Sequence, residues 1–148
     1  MDEKIAHLGF VQGVITRMAN NSFLVKGWTV ALVAAILALS SSSINAGFAF
    51  IAFLPIIVFW WLDSYYLKQE RLFRELYKAV VGDDPRVVRY SMDTRVVADK
   101  VSSTLRMAFT ISILPFYLLV TVLLLVLSYK SGSVFDVSFF KFLYPASQ

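Results

Sequence analysis

Few residues in this chain belong to the types that carry out chemistry. It has no cysteine and one histidine, His7. Disulfides, thiol redox chemistry and cysteine-based zinc sites are therefore excluded. So are a histidine-rich metal cluster and a Ser-His-Asp triad built on any histidine but His7. His7 itself reads as a surface or packed histidine. Asp83, Asp84 and Asp93 offer oxygen ligands for a divalent cation, although a solvated loop and a helix cap are the commoner uses of such residues. Arg86, Arg89 and Arg95 carry guanidinium forks that suit phosphate, so they are candidates for an anionic ligand such as a nucleotide signal. The commoner role of a basic cluster beside a membrane is to hold anionic lipid headgroups. Arg71, Arg74 and Tyr77 are candidates for a surface that meets a partner protein. Ser40, Ser41, Ser42, Ser43 and Asn45 are candidates for the mouth of a pore, or for a plain turn. No glycine-rich phosphate loop, zinc motif or nucleophile elbow is present. The expectation is a protein that is not an enzyme and needs no cofactor.

The elements that hold these residues are set by composition. Hydrophobic residues make up 58% of the 148 and charged residues 16%, and the mean hydropathy is +0.68. Soluble domains average about 45–50% apolar and about 25% charged. A disordered chain is excluded, because it needs low hydrophobicity and high net charge. The composition predicts an all-α integral membrane protein. Gly27–Leu62 holds no charged residue over 36 positions, and Met107–Tyr129 holds none over 23. A crossing helix takes about 17–25 residues. The second run fits one crossing; the first fits two short ones separated by the Ser/Asn/Gly break at 40–47. Three transmembrane helices follow, a tight hairpin plus one, with a re-entrant hairpin as the competing reading. Lys26–Ala46 resembles a signal peptide only faintly, since the polar stretch before it is too long and the apolar run continues beyond it.

Lysine and arginine set the orientation. Twelve of the fourteen lie in residues 1–26 and 63–106, which predicts that these segments are cytoplasmic and the C-terminus external. Trp28, Trp60 and Trp61 fall at the same interface, where indole rings prefer to sit. No ionisable residue lies inside a predicted span, which lowers the expectation of a pump or coupled transporter.

The chain divides into an amphipathic N-terminal helix (1–26), the transmembrane hairpin (27–62), a cytoplasmic helical stalk and joint (63–106), a third transmembrane helix (107–129) and an external tail (130–148). In the first, Ile5, Leu8, Val11, Ile15 and Met18 recur at helical spacing. The stalk carries Glu70/Arg74 and Arg71/Glu75 at the four-residue spacing that lets charges meet. It is expected to end at Gly82, ahead of Asp83-Asp84-Pro85. Ser91 or Asp93 can cap a new helix that runs through Val97, Val101 and Leu105 straight into span three. Pro55 and Pro115 are expected to bend spans two and three. The 44 residues of the stalk and joint are too few for a core of their own. They must pack on the N-terminal helix, on another copy or on a partner, which predicts a homo-oligomer.

Three motifs carry a resemblance. They are Met18-Ala19-Asn20-Asn21-Ser22-Phe23; Trp61-Leu62-Asp63-Ser64-Tyr65-Tyr66-Leu67, with Glu70-Arg71 and Leu76-Tyr77 after it; and Ser91-Met92-Asp93-Thr94. Together they resemble an uncharacterised family of small bacterial multi-span membrane proteins. The layout is more loosely similar to SLATT-type membrane effectors, which implies pore formation or membrane disruption in bacterial immunity. The leading expectation is a homo-oligomeric pore-forming or membrane-perturbing effector of the bacterial inner membrane, triggered through its cytoplasmic helices, in anti-phage defence. The alternative is a non-conducting anchor or sensor that recruits a cytosolic protein. Membrane lipids are expected partners and nucleic acid is not, since the basic segment has little aromatic interleaving.

Overall fold

A computed structural model of the chain describes residues 2–40 and 46–130. The described residues are helical, with no strand among them. Helix α1 spans Asp2–Ser40 and α2 spans Ala46–Val81. A 3-10 segment follows at Thr94–Lys100, then a short α3 at Thr104–Ala108 and α4 at Leu114–Lys130. Helices α1 and α2 contain the two stretches long and apolar enough to cross a membrane, within Asp2–Ala38 and Ile51–Val81. Leu114–Leu127 is a shorter apolar helix.

The amphipathic N-terminal segment and span one are one uninterrupted helix. With 39 residues it is about 58 Å long at 1.5 Å per residue. Span two and the stalk are likewise continuous, and α2 runs on past Pro55. The two helices lie antiparallel along their whole length. Lys4 reaches Asp83 at one end, Ser22 and Lys26 reach Asp63 in the middle, and Val33 packs with Ala52 and Ile56 toward the other. Two apolar clusters hold this pair together. In the apolar half, Val33, Ala52 and Ile56 bury against Ile113, Tyr117, Val120 and Leu124 of the third segment. In the charged half, Val11 and Ile15 of α1 bury against Leu76 and Ala79 of α2, with Val97 of the 3-10 segment closing the cluster. The stalk thus finds its missing core on α1 of the same chain.

α2 ends where expected, at Gly82, whose N–H still bonds to the Lys78 carbonyl at 2.9 Å. The left-handed residue that turns the chain is the next one, Asp83, at φ 51°. Aspartate is among the residues that tolerate this conformation best.

The third segment departs from expectation. No single helix runs from Asp93 into span three. Asp93 does cap an element, accepting from the Arg95 N–H at 2.9 Å, but that element is 3-10 and stops at Lys100. Ser103 then caps a fresh start, taking the Arg106 N–H at 3.4 Å. After Ala108 the chain turns again. The Thr110 hydroxyl donates to the Met107 carbonyl at 2.7 Å, occupying an acceptor that a continuing helix would use. Pro115 lies in the first turn of α4, where its missing N–H costs nothing, so it opens this helix instead of bending it. The long helix found where the 107–129 span is predicted, α4, is therefore shorter, at 17 residues, near the lower limit of about 17 for a crossing.

Candidate functional site

A buried ionic node links α1 and α2 where the charge-free run ends. The Lys26 ammonium lies 2.5 Å from Asp63 Oδ2. The Ser22 hydroxyl donates to Asp63 Oδ1, and Lys26 Nζ donates to Ser22 Oγ at 3.0 Å. Asp63 is 0% exposed and the Lys26 side chain 23%. Neighbouring polar side chains are satisfied by backbone carbonyls. Thr29 and Ser64, both fully buried, donate to the Val25 and Trp60 carbonyls at 2.8 and 2.7 Å. Trp60 Nε1 donates to the Ala108 carbonyl at 3.0 Å, and the Tyr117 hydroxyl to the Phe59 carbonyl at 3.0 Å. These last two bonds fasten α3 and α4 to α2. A buried carboxylate is tolerated when paired and hydrogen-bonded; here Lys26 supplies the pairing and Ser22 a hydrogen bond to Oδ1, while Oδ2 faces the ammonium without a hydrogen bond of its own. Its chemistry is that of a lock.

The loop arginines are engaged close to home. Arg86 makes a two-pronged pair with Asp84, at 3.1 Å from Nε and 2.8 Å from Nη2, and its backbone N–H adds a third bond at 3.0 Å. These contacts with Arg86 hold the Asp84 carboxyl down at about 2, and the charge of Lys100 acts in the same sense. Arg89 pairs with Glu3 and Arg95 with Asp93, each at 3.3 Å. Each of the three loop arginines thus has a carboxylate beside it. Asp83 is taken by Lys4 at 2.8 Å. No three acidic or histidine side chains converge as a metal centre among the described residues. His7 is buried, with its Nε2 at 3.0 Å from the Ser91 carbonyl. It packs against Tyr90 at 5.9 Å between ring centres, and Tyr90 holds φ 57°, uncommon for a bulky residue.

Arg71, Arg74 and Tyr77 do come together. They line an open cleft of about 560 Å³ between the charged halves of α1 and α2 and the joint after the 3-10 segment. Lys78 and Lys100 add two cations, and Gln12 and Ser102 add neutral polar groups. Arg74 is paired with Glu70 at 2.8 Å. The predicted Arg71–Glu75 pair is absent, because Glu75 turns to Lys78 at 2.6 Å. Among the described residues Arg71 and Lys100 make no direct ion pair, although Asp84 feels the charge of Lys100 at longer range. Ser40 is the last residue of α1, and Ser41, Ser42, Ser43 and Asn45 lie outside the described residues, as does most of the predicted tail.

Two features escaped sequence reasoning. One is the node, although a signal for it was present: Lys26 and Asp63 are the opposite charges that bound the 36-residue uncharged run. Folding that run in half places its two ends side by side. The other is Lys100, whose place beside the stalk depends on the unforeseen break at Val101–Ser103. A scan against protein-family models finds no match for the chain, and neither curated proteins nor solved structures give one.

Proposed function

We propose that this protein is a non-conducting, non-enzymatic membrane anchor and receptor. In this reading it sits in the bacterial inner membrane with three crossings, N-terminus inside and C-terminus outside. The charged half of the α1–α2 pair projects into the cytoplasm and receives a signal or partner there. One observation favours this over the pore-forming reading: the exposed residues of the apolar half carry no polar stripe among the described residues. On α1 they are Gly27, Trp28, Val30, Ala31, Leu32, Ala34, Ala35 and Ala38, and on α4 they are overwhelmingly Leu and Val. Lipid suits such surfaces, whereas a water-filled lumen needs polar lining. The looser resemblance to SLATT-type effectors argues for the membrane-perturbing alternative, in anti-phage defence.

We also propose that copies associate through α1. Gly27, Ala31 and Ala35 recur every four residues on its exposed face, and an added Cβ at Gly27 would meet nothing within 4 Å. Small residues at this spacing let membrane helices approach closely.

The test is expression in bacteria with a membrane-potential dye. An unchanged potential, together with Ala31→Cys chains that cross-link in the otherwise cysteine-free protein, is the expected result. A collapse of potential on expression overturns the anchor reading and favours the pore.

A further inference from the structure

We infer that the cleft beside Arg71 and Lys100 is a binding site for a small phosphate-bearing anion. The inference deepens the receptor reading above by naming the chemistry of its ligand.

The argument begins with charge compensation. Each arginine of the 83–95 loop already has a carboxylate within 3.3 Å. The cleft gathers four cations, Arg71, Arg74, Lys78 and Lys100, against one lining carboxylate, Glu75. Glu70 and Glu75 engage Arg74 and Lys78 along the helix. That leaves Arg71 and Lys100 facing one space from different elements, with no carboxylate in contact with either among the described residues. Cations that lack a direct ion pair and converge on a concave surface attract an anion and raise its local concentration, and Lys100 is only partly offset by the more distant Asp84. Arginine presents two parallel donors to phosphate oxygens, and lysine supplies a compact point charge.

Size and lining narrow the class. The cleft, at about 560 Å³, lies within the range of about 300–1,000 Å³ typical of small-molecule sites. Its lining mixes charges with Tyr77, Ile15, Val101 and Met107. An organic phosphate can use both parts: phosphate oxygens on Arg71 and Lys100, and a flat or apolar moiety against the Tyr77 ring. Depth argues for a soluble source. Arg71 and Lys78 lie eight and fifteen residues beyond Asp63 on the same helix, or about 12 and about 22 Å at 1.5 Å per residue. The headgroup layer on each side of a bilayer is only about 5–8 Å thick, so much of the cleft lies below it if Asp63 marks the edge of the hydrocarbon.

The experiment uses the full chain in nanodiscs of neutral phosphatidylcholine, titrated calorimetrically with pyrophosphate and with ADP. Saturable binding is expected, with ADP the tighter of the two. Arg71→Gln and Lys100→Gln should each weaken binding about tenfold, and the pair should abolish it. Arg86→Gln and Arg89→Gln should leave it within about twofold. Helix content by circular dichroism and elution volume confirm that each variant is folded. A parallel arm measures enrichment of phosphatidylglycerol around the protein in mixed nanodiscs. Enrichment lost in the same two variants, without soluble binding, keeps the phosphate site and assigns it to lipid. No binding in either arm, or binding indifferent to Arg71 and Lys100, overturns the inference. The dye experiment above reads the anchor reading separately, since a conducting protein that binds pyrophosphate and a silent one that does not are different results.

Discussion

Asp63 and Asp84 each hold one cation, yet they sit in opposite settings. Asp63 is wholly buried between two helices and meets Lys26 from a distant part of the chain. Asp84 meets Arg86, two residues away, at the surface of a loop. The contact chemistry is nearly the same and the consequences are not. The first pair fixes which turns of α1 and α2 face each other, and breaking it strands a charge where water cannot reach. The second shapes a local turn, and water can replace either partner.

The largest effect should therefore come from removing one side of the buried pair. Lys26→Met leaves Asp63 uncompensated and should cost about 3–5 kcal/mol, the usual penalty for breaking a buried pair. Thermal unfolding of purified protein in detergent measures it. The double variant Lys26→Met, Asp63→Leu should recover most of the loss, because a well-packed apolar pair can replace an ionic one. A double variant as unstable as the single would mean that the node does more than satisfy its own charges. Next in size is the apolar cluster of the charged half. Leu76→Ala removes a fully buried side chain and should cost about 2–5 kcal/mol. Its signature should differ from that of the node: protease sensitivity should rise in the stalk and the 3-10 segment, while the apolar half stays protected. Smaller again is Trp60→Phe, which deletes the bond to the Ala108 carbonyl. The loss should be about 1 kcal/mol, and faster amide exchange around residues 104–113 should mark it.

The comparison also explains what could be read from the sequence. The α2 stalk and its stop at Gly82 were legible because charge spacing and turn residues are local signals. The pair of long apolar helices was legible because a 36-residue uncharged run is too long for one crossing-length helix. By its place in the sequence Asp63 marks only the start of the stalk. Its role depends on which residue lies across the helix pair, and spacing along one helix carries no such information. The third segment failed for a different reason. Val97, Val101 and Leu105 keep helical spacing, but Ser103 and Thr110 offer the backbone competing hydrogen bonds, and tertiary anchors such as Trp60 stabilise the breaks. Arg86, Arg89 and Arg95 matched phosphate by residue type, yet each has a carboxylate close by that neutralises it. The spacing of Arg71 along the stalk says nothing of Lys100, whose position after the 3-10 segment makes the two line one cleft.

The smallest effect belongs to Asp84, and it is best read by titration. Its carboxyl is held at about 2 by Arg86, against an ordinary value of 3.8. A folded-state value below the unfolded one means that the pair adds stability above the unfolded value and loses it as pH falls through the folded one. The contribution should fade between about pH 3.8 and about pH 2 and be constant at neutral pH. Carboxyl carbon shifts of Asp84, followed by NMR, should show a midpoint near the lower figure. Arg86→Gln should move that midpoint up toward the ordinary value while leaving the unfolding temperature at pH 7 nearly unchanged, since an exposed pair contributes little there. A large loss of stability at pH 7 would show the loop pair behaving like the buried node, and burial would no longer be what separates them.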